Sequence, residues 1–79
     1  MKANVYVTLK QEVLDPQGDA VRRGLSSLGF VGVKSARVGK FIEIELESKD
    51  KAAAEKELKT MCEKLLANPV IEDFRLEVV

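Results

Sequence analysis

The side chains able to do chemistry are few in this chain, and their spacing limits what each could do. Cys62 is the only thiol and there is no His among the 79 residues, so a thiolate would have to form without an imidazole base. Cys62 also sits beside Met61 and Leu65 on an apolar helical stripe, which favours a buried structural thiol over a nucleophile. Glu43, Glu45 and Glu47 alternate with apolar residues. On a strand they would stand about 6–7 Å apart on one face. Carboxylates so placed could form an acid/base pair or hold a hard cation. No further cluster of oxygen ligands accompanies them, so a solvated or interface face is the favoured reading.

Three short segments could meet an anion or a partner. Arg37, Gly39 and Lys40 place two cations around a glycine, an arrangement that can receive a phosphate or a carboxylate, although turn geometry alone accounts for Gly39. Asp15-Pro16-Gln17-Gly18 opens a helix, where free amides attract anions. No Gly-Lys-Ser/Thr follows, and Asp15 itself fills the cap, so this is no phosphate loop. Capping leaves Gln17 and Gly18 unexplained and open to a partner contact. In Asn68-Pro69-Val70-Ile71-Glu72, Pro69 ends a helix and two apolar residues pack beneath it. Asn68 and Glu72 remain as candidate contacts.

The elements that must hold these residues fit one small domain over 1–79. A chain this short buries only about 60–65% of its unfolded surface and is marginal alone. One Cys excludes an internal disulfide, and a lone Cys without His makes a zinc site improbable. Association is the stabilising device that remains. Thirteen basic and thirteen acidic residues cancel, unlike the basic footprint of a nucleic-acid binder. The first residues alternate instead of forming an apolar run, and no stretch nears the ~20 apolar residues that span a bilayer. A cytoplasmic protein bound to neither membrane nor nucleic acid is expected.

Val5, Val7 and Leu9 alternate with polar residues and predict a first strand with one buried face. Asp15 and Pro16 then cap a helix whose stripe is Val21, Leu25 and Leu28, ended by Gly29. Phe30–Val38 reads as a second strand with a parity break, and Gly39-Lys40 as a two-residue type II′ hairpin turn. Phe41–Glu47 gives the clearest strand, with Ile42, Ile44 and Leu46 inward. Ser48 or Asp50 starts a second helix carrying Ala54, Leu58, Met61, Cys62, Leu65 and Leu66, stopped at Asn68 by Pro69. The last strand places Phe74, Leu76 and Val78 on one face. The order β-α-β-β-α-β predicts an α+β two-layer sandwich, ferredoxin-like or a close variant. Two helices would lie on one face of a four-stranded antiparallel sheet. The open face would carry Tyr6, Thr8, Glu43, Glu45, Glu47, Arg75 and Glu77, and this face or the strand edges could pair with a second copy.

Several runs carry a family resemblance over the whole chain: Val5-Tyr6-Val7-Thr8-Leu9-Lys10, Val13-Leu14-Asp15-Pro16-Gln17-Gly18, Leu28-Gly29-Phe30, the Arg37/Gly39/Lys40 group, and Met61 to Phe74. They resemble PurS, the small accessory subunit of bacterial and archaeal phosphoribosylformylglycinamidine synthase. Phe74, where the family often has Tyr, is the one departure noted.

The resemblance implies a role in purine biosynthesis, where ATP and glutamine convert formylglycinamide ribonucleotide to formylglycinamidine ribonucleotide. It implies that a PurL subunit, with ATP and Mg, performs the ligation, and that a PurQ subunit releases ammonia from glutamine. PurS, as a dimer or tetramer, would join the two and help shape the ammonia path. No catalytic, cofactor or metal residue is expected in this chain. The partner-contact candidates are Gln17, Gly18, Arg37, Lys40, Asn68 and Glu72.

Two other classes are compatible with parts of the pattern. An ACT-like dimeric regulatory domain shares the β-α-β-β-α-β order, and would show an amino-acid-dependent thermal shift without PurL. An RNA-binding module would need aromatics on the open sheet face, where Tyr6 stands nearly alone beside three glutamates that repel phosphate.

Overall fold

The computed structural model describes residues 1–47 and 49–79. Five main elements follow in order: β1 (Lys2–Leu9), α1 (Pro16–Ser27), β2 (Gly39–Glu45), α2 (Lys51–Met61) and β3 (Glu72–Val78), with a wider π-turn over Cys62–Leu66 extending α2. The sheet is antiparallel with order β2-β1-β3. Val5 pairs with Ile42 on one side and Leu76 on the other.

The register explains the core. Because strand side chains alternate, β1 sends Ala3, Val5 and Val7 to one face, and all three are buried. Ala54, Leu58 and Cys62 of the capped helix are buried as well, and Leu58 and Cys62 join the same cluster. Full burial of Val5, Val7 and Leu58 stabilises by about 1.5–3 kcal/mol each. Asp50 starts α2 by accepting the Ala52 amide at 3.2 Å, the cap the sequence offered; Ser48, the other candidate, lies outside the described residues. Asn4, Tyr6, Glu43, Glu45, Arg75 and Glu77 share the opposite face, as the alternation requires. There Tyr6 stacks on Phe41 at 5.1 Å between centroids, and the Arg75 guanidinium lies 4.3 Å from the Tyr6 ring.

Three expectations are corrected. Among the described residues the sheet has three strands, not four. Residues 30–38 form a turn and an irregular run outside the ladder. Val31 donates back to Gly29 at 3.1 Å, and the change of parity between Val33 and Ala36 leaves no continuous apolar face to pair. With no strand before it, the Gly39-Lys40 hairpin turn does not exist. Gly39 instead opens β2 opposite Thr8, and its φ is not positive, Gly29 alone having φ of 100°. Glycine is needed there because a Cβ would fall on the Val7 carbonyl. Third, the two helices do not share the sheet. The core cluster contains residues of α2 and none of α1. Leu65 also leaves the predicted stripe and is 83% exposed. The π-turn, closed by Ala67 N donating to Cys62 O at 3.0 Å, rotates it away from the core.

Candidate functional site

The six candidate contact residues come from three separate segments, and the fold carries all three to one end of the sheet. Gln17 and Gly18 open α1. Arg37 and Lys40 flank the start of β2. Asn68 and Glu72 bracket the turn into β3. A cleft of about 250 Å³ is lined by Gln17, Lys40 and Glu72 together with Asp15, Val38 and the end of β1. A wider groove of about 620 Å³ lies beside it, lined by Leu14, Asp15, Asp19, Arg22, Lys34 and Arg37.

Asp15 is the tie between these segments. Its Oδ1 accepts the Gly18 amide at 2.9 Å, and its Oδ2 accepts the Val38 amide at 2.8 Å. One carboxylate therefore caps α1 and fastens the chain just before β2. The Gly18 amide, then the Val38 amide and the nearby Arg37 charge, hold its carboxyl below the usual carboxylate range, against a smaller opposing effect of burial. Arg37 adds a second fastening, its Nη2 donating to the carbonyls of Leu9 at 2.6 Å and Lys10 at 2.7 Å. Gly18 is buried against Ala36, whose carbonyl a Cβ would strike.

The turn before β3 is built in a similar way. Glu72 Oε1 accepts the Asn68 amide at 2.7 Å, and Asn68 Oδ1 accepts the Val70 amide at 3.1 Å. Glu72 also faces Lys40 at 4.0 Å. Lys10 and Asp73 form a neighbouring pair at 3.7 Å that the sequence reading had not singled out. Such exposed pairs contribute about 0–1 kcal/mol each. Lys10 lies just past the end of β1, and its meeting with Asp73, which pairs with Thr8, was visible only once the register was known.

These local duties sort the candidates. Arg37, Gly18, Asn68 and Glu72 each hold backbone in place, so they shape the cleft. Gln17 and Lys40 line the cleft, Lys40 with its ammonium toward Glu72. The arrangement offers donors, acceptors and both charge signs to a protein surface. Elsewhere, Cys62 is buried in the core, and desolvation, then the Glu63 charge, pushes its thiol above the ordinary value. That is the opposite of nucleophile activation. Among the described residues no group of three or more His, Cys, Asp or Glu could hold a metal ion.

The profile of the family PurS: Phosphoribosylformylglycinamidine (FGAM) synthase matches residues 2–79. The chain is 53% identical over 74 residues to the phosphoribosylformylglycinamidine synthase subunit PurS of Synechocystis, covering 94% of this chain and 74% of that protein. It is 51% identical over 77 residues to the Bacillus subtilis subunit of the same name, covering 98% and 90%. The solved Bacillus subtilis PurS superposes with a TM-score of 0.85 at 50% identity, over 96% of this chain and 94% of that one. A chain in the structure of PurLQS from Thermotoga maritima superposes with a TM-score of 0.89 at 35% identity, over 99% and 95%.

Proposed function

This chain belongs to the PurS family, and we propose that it serves as the non-catalytic small subunit of a phosphoribosylformylglycinamidine synthase, joining a PurL synthetase subunit to a PurQ glutaminase subunit. The match of the family profile over residues 2–79 carries this reading. The reaction class is that of the Thermotoga maritima PurS structure, whose enzyme is numbered EC 6.3.5.3. In this assignment the ATP, the Mg and the ligation chemistry belong to PurL, and glutamine hydrolysis belongs to PurQ. The side chains agree: there is no His, and the one thiol is buried with its proton held on. The PurLQS assembly from Thermotoga maritima, containing a chain 35% identical to this one, supports association with both larger subunits. We assign the whole of 1–79 to one domain, acting as a homo-oligomer in the cytoplasm. Among the described residues no helix is long and apolar enough to cross a membrane.

Gln17 and Lys40 are the side chains we place against the larger subunits, with Glu72 and Asn68 holding their setting. Lys40→Ala with Gln17→Ala tests this, because neither side chain caps a helix and alanine at 40 gives up only the 4.0 Å pair with Glu72. Capture of PurL and PurQ, with glutamine and nucleotide present, should weaken at least tenfold while circular dichroism and oligomer size stay unchanged. Equal capture and equal synthase activity would remove this end of the sheet from the interface. Arg37→Glu is a poor probe, since it would also break the fastening to Leu9 and Lys10.

A further inference from the structure

The groove of about 620 Å³ between the root of α1 and residues 34–37 holds charge, apolar surface and backbone that the fold leaves idle. Its lining carries three cations, Arg22, Lys34 and Arg37, against two carboxylates, Asp15 and Asp19. Both carboxylates are already engaged. Asp15 accepts the Gly18 and Val38 amides, and Asp19 pairs with Arg22 at 2.9 Å and with Arg23 at 3.1 Å. Among the described residues Lys34 forms no ion pair, and Arg37 uses one nitrogen, Nη2, for the Leu9 and Lys10 carbonyls. The unbalanced charge is therefore positive and sits on Lys34 and Arg37.

Two further features lie in the same groove. Leu14 stands 88% exposed within it. Lys34, Ser35 and Ala36 make no backbone hydrogen bond among the described residues, so this stretch offers free amides and carbonyls of the kind an added strand pairs with. The groove is also separate from the apolar stripe of α1. At about 100° per residue, Arg22 and Asp19 lie about 100° and 160° around the helix from Val21.

The combination discriminates between ligands. A phosphate would find the Gly18 amide already taken by Asp15, and its double charge would lie close to two carboxylates. A nucleobase would find no aromatic ring in the lining. A carboxylate side chain on an extended peptide matches every feature, with one charge for Lys34 and Arg37, an apolar neighbour for Leu14 and a main chain for Lys34-Ser35-Ala36. We propose that this groove receives an extended acidic segment of one of the larger subunits. Its carboxylate pairs with Lys34 and Arg37, and an adjoining apolar side chain rests on Leu14. This inference rests on the joining role proposed above and adds a second contact, made by different residues from Gln17 and Lys40.

Carbodiimide coupling tests it on the unmodified proteins, because the reagent joins an amine to a carboxylate only where the two already touch. The complex of this chain with PurL and PurQ is treated, digested and read by mass spectrometry. The expected product is Lys34 linked to an Asp or Glu of PurL or PurQ. Lys34 linked to another copy of this chain would make the groove a self-contact, and Lys34 without a link to a larger subunit would leave it unoccupied; either overturns the inference. Lys34→Glu with Leu14→Ala provides a second measurement, since neither side chain has a duty in the protomer. Capture of the larger subunits should fall at least tenfold with circular dichroism and sedimenting mass unchanged, and Lys34→Arg should keep the parent's capture. Unchanged capture by the double variant would overturn the groove, and weakened capture by Lys40→Ala with Gln17→Ala in the same assay would leave the joining role standing. An unmodified chain that captures neither subunit would overturn both readings. If millimolar inorganic phosphate raises the melting temperature of the parent but not of Lys34→Glu, the groove is a small-anion site and the peptide assignment is wrong.

Discussion

Asp15 performs two tasks with one carboxylate, and both depend on its charge. The free acid can accept less well at both oxygens, so protonation weakens the bonds from Gly18 and Val38 together. Its folded value is lowered, mainly by those two amides, while an unfolded chain returns it to about 3.9. The stability it supplies is therefore complete above about pH 5 and is lost as the pH falls through 4 and below the depressed folded value. Asp15→Asn keeps one acceptor oxygen for the Gly18 amide but sets an amide group against Val38. The variant should melt below the parent at pH 7, and the gap should narrow as the pH falls below the ordinary carboxylate range. A gap that stayed constant with pH would show that the charge is not involved. Cys62 gives the contrasting residue. With its side chain fully buried, Cys62→Ser should cost about 1–3 kcal/mol for an unpaired hydroxyl, read as a lower denaturation midpoint. A thiol reagent should modify the native protein slowly and the unfolded protein at once. The sequence revealed both residues' local roles, because a cap before proline and a thiol on an apolar stripe are local patterns. The bond from Asp15 to Val38 joins residues 23 apart and was legible only in three dimensions.

At the scale of elements, what the sequence disclosed depended on regular period. β1, β2 and β3 alternate cleanly, and each lies where the alternation predicts, with Phe74, Leu76 and Val78 on the core side. Residues 30–38 lacked that regularity and form no strand. The parity break was itself the warning, since a slip of one residue turns every following side chain to the other face. The spacing of α1 identified the helix correctly, yet spacing says only that a face is apolar and not which surface covers it. Likewise, Gly39 was explained by a turn when the cause is close backbone approach, and Gly18 had no explanation until its Cβ position was seen to meet the Ala36 carbonyl. Gly18 joins the start of α1 to the segment leading into β2. Gly18→Ala must push these apart, and should destabilise by about 1–3 kcal/mol while also weakening capture of the larger subunits. Full stability in Gly18→Ala, measured by denaturant titration, would show that the contact with Ala36 is loose.

At the scale of the whole molecule, size and shape lead to one expectation. A compact chain of this length would have a radius of gyration of about 12 Å, and the protomer has 15.8 Å. The helix α1 contributes no residue to the core cluster. A PurS subunit working as a joint between larger proteins can use an extended shape, but a small core with an exposed apolar helix supplies little stability by itself. Most of what keeps the chain folded should then come from association, so folding and dimer formation should be one transition. For a dimer that unfolds to two separate chains, a tenfold rise in concentration is worth about 1.4 kcal/mol per dimer. Spread over the unfolding entropy of roughly 160 residues, that raises the melting temperature by about 4 °C. Calorimetry from 5 to 500 μM should therefore show two such increments, about 8 °C in total. Leu25→Asp should melt at a lower temperature that does not change with concentration. If the parent's melting temperature is the same at both ends of that range, the protomer is stable alone, and the exposed stripe on α1 serves some other contact than its own partner copy.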